Sequence, residues 1–305
     1  MPSRSCTLAI LAFWLATMGW FGYAEIRPRL WPGKTVPFTI DLAQEVSNEP
    51  RSWTLYHNGV NVGSAKTWVS RHRGDDTYEI ATTFWFNTGE ERDKGRLSYD
   101  FLGGLFRVDA RKMESKYRVT RDGDLLGLRA EVTAFFKAPQ GSSDIEVHVE
   151  GEVENGTFTP HWRLVSPLKY EQTTEPVEVP TNHSVLNPLQ PWNRLENIRP
   201  GQRWRVQLFD PLTESVTATV GALAPQVSVP RVEFLDAGVK ELREDYTWNE
   251  QQVPCLVIEY HGEGDDDLMA RTWVRQDDGL VLRQEVTRGE KTNHQERLAL
   301  ERYPR

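Results

Sequence analysis

Apolar and polar residues divide the chain into one continuous apolar run and a long region of alternation. Ser5 to Ala24 contain no charged residue, and Glu25 ends the run. From Arg51 onward, apolar and polar residues alternate with a period of two, as they do in half-buried β-strands. The pattern predicts one membrane-directed segment followed by a body that is rich in β-strands.

Short turns separate the alternating segments. Asn58-Gly59, Asp122-Gly123 and Asn155-Gly156 lie between strand-like segments, where such dipeptides are strong hairpin signals. No segment has the pattern of a long amphipathic helix, which argues against a parallel α/β fold. The predicted fold is all-β with minor α: an antiparallel curved sheet or incomplete barrel, plus one N-terminal hydrophobic helix. The predicted strands are 53–57, 62–70, 77–86, 116–120, 125–136, 145–153, 157–165, 203–208, 215–220, 231–235, 244–248, 255–260, 268–275, 280–286 and 296–303.

The N-terminal apolar run has the length of a transmembrane helix. At a rise of ~1.5 Å per residue, about twenty residues cover the roughly 30 Å core of a bilayer. Trp20, Phe21 and Tyr23 cluster at its far end, where aromatic rings favour the membrane interface. The run therefore predicts a signal anchor over residues 1–24.

Two other interpretations of this run stay open. Small residues in Gly22-Tyr23-Ala24 fit a cleavage site, so the run also fits a signal peptide, although it exceeds the usual apolar length of about 7–15 residues. A buried core helix is the third interpretation. The first two export the body, whereas the cations Arg27, Arg29 and Lys34 also fit a cytoplasmic body.

These interpretations lead to an expected location in a bacterial cell envelope. We expect a single-pass anchor in the inner membrane with the body extracytoplasmic. The alternative is secretion after cleavage near Ala24.

The chain divides into three regions by composition. Residues 1–24 form the anchor or signal peptide, residues 25–50 a proline-interrupted tether, and residues 51–305 an antiparallel β-domain. Proline and asparagine are frequent near 176–200, where two β halves would join and where a short helix is predicted over 191–198. Within the tether, 38–44 is expected to form a short turn or an edge strand.

One internal echo suggests a duplicated half. Ala65-Lys-Thr-Trp-Val-Ser70 resembles Ala270-Arg-Thr-Trp-Val-Arg275, which would place Trp68 and Trp273 at equivalent strand positions. Six positions are few, and similar strands also recur by chance. Nine tryptophans follow residue 24, and most of them are expected to pack in the core, with a Trp-lined ligand cavity as the alternative.

The charge balance argues against nucleic-acid partners. Removing Arg4, Arg27, Arg29 and Glu25 from the totals of 36 and 44 leaves 33 Lys and Arg against 43 Asp and Glu in residues 30–305, a formal charge of −10. Phosphate contacts need clustered cations, so no nucleic acid is expected as a partner. The acidic body also disfavours adhesion to anionic lipid.

Candidate chemistry in the sequence is sparse. Cys6 and Cys255 are the only cysteines, so no disulfide framework is expected, and Cys255 is expected to be a buried strand thiol. Asp265-Asp-Asp267, Asp75-Asp76 and Asp277-Asp278 are interpreted as turn residues rather than calcium ligands. The seven histidines are scattered without the spacing of metal ligands, so no catalytic, cofactor-binding or metal-binding residue is assigned and no cofactor is expected.

Two patterns carry a family resemblance. Trp53-Thr-Leu-Tyr-His-Asn-Gly-Val-Asn-Val-Gly-Ser-Ala65 resembles the opening of exported β-domains of unknown function, including the strand-rich region that precedes bacterial transglutaminase-like cores. The segments 253–260 and 270–285 resemble the paired late strands of lipoprotein-carrier-like half-barrels. The resemblance covers about a quarter of the chain. It implies an incomplete antiparallel barrel whose concave face holds apolar material or a covering helix, and it carries over no catalytic residue.

These observations lead to one functional hypothesis and two rivals. The first is a non-enzymatic, membrane-tethered extracytoplasmic binding or scaffold protein, for a lipid or another apolar ligand. The second is an envelope hydrolase that uses Asp or Glu, which requires two carboxylates in one cleft with at least one shifted pKa. The third is a structural partner of another envelope protein, which requires an exposed apolar patch.

Overall fold

A computed structural model of the chain describes twelve ranges of residues, and all structural statements concern them. The apolar run 5–24 and most of the tether 25–50 lie outside these ranges. Within them, no helix has both the length and the apolar composition needed to cross a membrane. The described ranges are 42–47, 49–72, 74–87, 98–101, 106–138, 141–166, 170–173, 176–179, 192–207, 234–262, 268–288 and 296–304.

Most of the described chain is β-strand. One short helix, α1 (Leu42–Glu45), precedes the first strand. The strands of the first half are β1 (Arg51–His57), β2 (Val60–Arg71), β3 (Thr77–Phe86), β4 (Ser98–Phe101), β5 (Phe106–Thr120), β6 (Leu125–Ala138), β7 (Gly141–Glu154), β8 (Thr157–Phe158), β9 (His161–Ser166), β10 (Tyr170–Thr173) and β11 (Val177–Glu178). Those of the second half are β12 (Arg203–Gln207), β13 (Phe234–Val239), β14 (Glu244–Trp248), β15 (Gln251–Gly262), β16 (Leu268–Arg275), β17 (Val281–Arg288) and β18 (Glu296–Arg302).

The strands form one large antiparallel sheet. Its order is β10-β9-β7-β6-β5-β3-β2-β1-β18-β17-β16-β15-β13-β12. The strand β4 pairs with the start of β5, and β14 with the start of β15. A small second sheet joins the end of β7 to β8 and β11. Among the described residues β10 and β12 each pair on one side only, so the sheet is open.

The hairpin turns follow the sequence prediction. Asn58 and Gly59 have φ values of 49° and 79°, and Asn155 and Gly156 have 51° and 77°. Positive φ at both central residues is the requirement of the type I′ turn, which matches the twist of the flanking strands. The turn dipeptides therefore define where β1 reverses into β2 and where β7 reverses into β8.

One hydrophobic cluster draws on strands from both halves of the chain. The pairing of β1 with β18 places the two halves in the same sheet. The strand β15 is buried on both faces: Leu256, Ile258 and Tyr260 enter the main cluster, whereas Cys255 and Val257 enter a second, smaller cluster with Trp273 and Leu282. The most completely buried large side chains of the main cluster are those of Trp53, Trp204, Tyr78 and Phe158.

One local prediction near the candidate site was wrong, and a second lies mostly outside the described residues. Residues 192–198 form bends and isolated bridges instead of a helix. Their backbone groups bond to another part of the chain: Leu195 N donates to Gly279 O at 2.9 Å, and Val281 N donates to Asn193 O at 3.0 Å. The expected turn or edge strand at 38–44 lies mostly outside the described residues, and Leu42 to Gln44 belong to α1.

Candidate functional site

A polar cleft opens at the junction of the first and last strands. Its volume is about 700 Å³. Its walls are α1 and the residues after it, the start of β1, the segment 193–196, the turn after β16 and the end of the chain. The lining residues are Gln44, Glu45, Glu49, Pro50, Arg51, Ser52, Asn193, Arg194, Glu196, Trp248, Arg275, Leu280, Arg302, Tyr303 and Pro304.

The short helix brings Glu45 to the cleft. Leu42 is 2% exposed and belongs to the main hydrophobic cluster, so the helix is anchored by an apolar side chain at its start. After the helix, Ser47 N donates to Val69 O at 3.3 Å, and Val46 forms a parallel bridge with Val69. These contacts fix the end of α1 against β2.

The segment 193–196 forms another wall of the cleft. Trp192 and Leu195 are buried in the main cluster and anchor it. Arg194 forms an antiparallel bridge with Leu280. Close approach to this segment requires a glycine at position 279, because a Cβ atom there would lie 2.5 Å from Leu195 O. The backbone of Gly279 has a φ of +70°, which also favours glycine.

Arg302, the last residue of β18, is a buried cation that lines the cleft. Its side chain is held by donation from Nε to Val281 O at 2.8 Å and from Nη2 to Asn193 Oδ1 at 2.8 Å. Its guanidinium also lies 4.8 Å from the centroid of the Trp53 ring. The Arg302 carbonyl accepts a hydrogen bond from Trp248 Nε1 at 3.0 Å. These contacts give a fixed orientation to a charge that lines the cleft.

Glu45 is a buried carboxylate next to this network. It is 9% exposed, and Asn193 Nδ2 donates to its Oε1 at 3.4 Å. Burial raises the pKa of the Glu45 carboxyl above its ordinary value of 4.5, while the Arg51 charge and the Asn193 hydrogen bond act in the opposite direction. Asn193 thus contacts both the carboxylate and, through its other amide atom, Arg302.

A second ionic group lies on the side of the turn after β16. Arg275 donates to Asp278 through both Nε and Nη2, at 2.8 and 2.7 Å. This hydrogen bonding lowers the pKa of Asp278. Asp278 also lies 3.6 Å from Arg194, and Arg275 stacks over Trp248 at 5.6 Å from the ring centroid. The Asp-Asp pair at 277–278 is therefore in a turn, as predicted, and Asp278 organises one rim of the cleft.

The lining favours a polar occupant. Four arginines and three glutamates line the cleft: Arg51, Arg194, Arg275, Arg302, Glu45, Glu49 and Glu196. Guanidinium groups bind carboxylate and phosphate oxygens through pairs of N–H donors. In the described part of the chain, no three His, Cys, Asp or Glu side chains are grouped closely enough to hold a metal ion.

A water-sized gap adjoins the cleft. Its volume is about 20 Å³, and it shares Glu45, Arg51 and Asn193 with the cleft lining. Thr67 and Thr82 also line it. A gap of this size has room for one water molecule, and its lining combines these polar groups with apolar side chains such as Ile80 and Trp192.

Other residues singled out from the sequence lie elsewhere. Cys255 is fully buried in the second cluster, as predicted, and burial raises the pKa of its thiol to about 11. His148 Nε2 lies 2.6 Å from Glu146 Oε1, and His161 Nδ1 lies 3.1 Å from Thr173 Oγ1, both away from the cleft lining. The acidic segment 265–267, His183 and His294 lie outside the described residues.

The residues of the cleft were not identified from the sequence. Glu45 lies in the region assigned to the tether, and Asn193 in a region interpreted as a connection. A usable signal existed for Arg302. Leu298, Leu300 and Arg302 occupy alternate positions of β18, and Leu300 is buried, so a period of two places the arginine on an apolar face.

The chain was compared with known proteins at three levels. No family model, no curated protein and no solved structure matches it.

Proposed function

We propose that the chain is a membrane-tethered binding protein of a bacterial cell envelope whose ligand occupies the polar cleft. The observation that carries this proposal is the buried Glu45–Asn193–Arg302 network at the cleft. Burying a charged side chain is costly unless the charge is paired and hydrogen-bonded. A surface without a binding role does not need buried charges such as those of Glu45 and Arg302 held in a fixed orientation at an open cleft. The location in the envelope rests on the apolar run 5–24 and is part of the proposal.

The ligand of this proposal is polar, in place of the apolar ligand expected from the sequence. In the proposed architecture the open sheet curls around its own core as an incomplete barrel. Support comes from the main cluster, which contains Trp53 of β1, Tyr78 of β3, Trp204 of β12 and Tyr260 of β15. These side chains are 2% exposed or less, so they occupy the place that an apolar ligand would take.

Native mass spectrometry of the full chain, extracted from membranes in detergent, tests this proposal. We expect a bound small molecule with the wild-type chain and its loss with Ser52→Trp, which places a large side chain in the cleft. Ser64→Trp is the matched control, because Ser64 is exposed on β2 and is not a lining residue. Retention of the molecule by Ser52→Trp would contradict the cleft as its site.

External protease applied to spheroplasts tests the location, and a protected body would contradict export.

A second candidate function is hydrolysis by acidic residues. The specific observation in its favour is that Glu45, whose pKa burial raises, shares the cleft with Glu49 and Glu196. A carboxyl with a raised pKa suits a general acid, and a second carboxylate suits a base or nucleophile. Under this hypothesis the full chain cleaves one of a panel of aryl glycosides and aryl esters, and Glu45→Gln removes that activity. Equal turnover by the variant and the wild type would exclude Glu45 as the acid.

A further inference from the structure

Two arginines at the cleft are placed to contact a ligand. The Arg194 side chain is 49% exposed, and its distance of 3.6 Å from Asp278 is long for a strong ion pair. Arg51 is half-buried at the start of β1 and lines both the cleft and the adjoining gap. Among the described residues, Arg51 has no carboxylate within ion-pair distance, although its charge acts on Glu45.

The remaining two arginines are already committed to protein groups. Arg275 is held by both carboxylate oxygens of Asp278. Arg302 is held by uncharged oxygens of Val281 and Asn193 and by the Trp53 ring. The charge of Arg275 is balanced by the Asp278 carboxylate, whereas the immobilised Arg302 guanidinium contributes fixed positive potential without having to reorganise when a ligand arrives.

We propose that the cleft binds an oxyanion group of its ligand, a carboxylate or a phosphate, through Arg51 and Arg194. This inference rests on the proposed function and names the ligand class of that same site. The guanidinium fork of arginine matches either oxyanion, so the shared chemistry is the pair of anionic oxygens. Arg302 supports the bound anion by its fixed charge.

Glu45 competes with the ligand for this positive potential. The charged groups that face it are Arg51 from β1, Arg302 from β18 and Arg194 from the segment 193–196. Arg275 is neutralised by Asp278, so three guanidiniums of the lining (Arg51, Arg194 and Arg302) stand against three carboxylates when Glu45 is ionised, and against two when it is protonated. Anion binding therefore becomes tighter as the pH falls through the raised pKa of Glu45, and Glu45→Gln makes it tight across that range.

The test is titration of the full chain in detergent with sulfate and with acetate, at constant ionic strength maintained by chloride. Sulfate stands for the phosphate class and acetate for the carboxylate class, and the charge of sulfate is constant across the pH series. The variants are Arg51→Gln, Arg194→Gln and Glu45→Gln. Arg129→Gln is the matched control, because Arg129 is an exposed arginine of β6 that pairs with Glu150, and neither residue lines the cleft.

We expect saturable binding of at least one anion, with the Kd raised about tenfold by Arg51→Gln or Arg194→Gln. Arg129→Gln leaves the Kd unchanged, and Glu45→Gln lowers the Kd at neutral pH and flattens its pH dependence. Absence of saturable binding, or equal weakening by Arg129→Gln, overturns the inference. A ligand that co-purifies and is lost with Ser52→Trp while neither anion binds would preserve the cleft as a binding site and refute only the oxyanion class.

Discussion

The guanidinium of Arg302 lies 4.8 Å from the centroid of the Trp53 ring, and the two residues are direct cross-strand partners in the pairing of β1 with β18. Both side chains are buried, and Trp53 Nε1 donates to Thr67 Oγ1 at 3.1 Å. Residues 53 and 302 are near opposite ends of the described chain. This pair therefore forms only when the last strand joins the first, and it places the candidate site at that junction.

Replacing Arg302 by methionine should destabilise the folded chain. The substitution removes the donors to Val281 O and Asn193 Oδ1 and the cation over the Trp53 ring. Buried acceptors that lose their partners are costly, so we expect the free energy of unfolding to fall by about 2–4 kcal/mol. Urea unfolding followed by tryptophan fluorescence measures this.

Arg129→Met is the control for that experiment. The Arg129 side chain is 74% exposed, and its ion pair with Glu150 spans 3.1 Å. An exposed pair contributes less than about 1 kcal/mol, so this variant should unfold close to the wild type. Similar losses for both variants would show that burial of Arg302 does not stabilise the junction.

Replacing Glu45 by glutamine should change how stability depends on pH. Burial raises the folded-state pKa of Glu45 above 4.5, so protonation favours the folded state. The wild type should be most stable below pH 4.5 with respect to this group and should lose that contribution as the pH rises through the raised pKa. Glutamine does not ionise, so the variant does not lose stability as the pH rises. It should therefore be more stable than the wild type at neutral pH.

Urea unfolding over a pH series measures this difference. The Glu45→Gln curve should approach that of the wild type at acid pH and exceed it at neutral pH. Glu150→Gln serves as control, because Glu150 is exposed. A difference between Glu45→Gln and wild type that grows as the pH falls would contradict the raised pKa.

Replacing Gly279 by alanine should disturb the wall of the cleft. The added Cβ would meet Leu195 O at 2.5 Å, and the φ of +70° is unfavourable for alanine. Gly156→Ala is a matched control, because Gly156 has a φ of +77° and open space around a Cβ. Backbone strain alone costs about 1–2 kcal/mol. Thermal unfolding should show a larger loss for Gly279→Ala, and equal losses would indicate that the segment 193–196 moves aside freely.

The thiol of Cys255 should be unreactive in the folded chain. It has no exposed surface, and burial raises its pKa to about 11. Both properties suppress the thiolate that reacts with disulfide reagents. In a Cys6→Ser variant, a chromogenic disulfide reagent should modify Cys255 only after unfolding. Rapid modification of the native chain at neutral pH would show that the second cluster opens.

Much of the strand pattern could be predicted because its signals are local. The predicted bounds 77–86, 244–248 and 268–275 coincide with β3, β14 and β16. The longer strands β5 and β7 extend beyond the predicted bounds, and the predicted strand 157–165 divides into β8 and β9. The division falls at Thr159-Pro160, since proline lacks the N–H that a ladder requires.

The internal echo predicted that Trp68 and Trp273 occupy equivalent strand positions, and the burial of their neighbours agrees with this. Ala65, Thr67 and Val69 are buried in β2, and Ala270, Thr272 and Val274 are buried at the corresponding positions of β16. The two tryptophans differ in burial. Trp68 is half-buried, whereas Trp273 packs against Tyr246 of β14 with a ring-centroid distance of 6.1 Å. The strand β14 lies next to only one of the two copies, which a comparison of six residues could not reveal.

The sequence by itself determined the all-β class, the turns and the alternation of most strands, because turn dipeptides and a period of two act over a few residues. The tertiary structure decided that β18 pairs with β1 and that Glu45, Asn193 and Arg302 meet at one cleft. These relationships join residues more than one hundred positions apart. The strand pairing and these side-chain contacts form only when the whole sheet packs. Residues distant in the sequence, rather than adjacent ones, then decide whether a carboxylate or a guanidinium is buried.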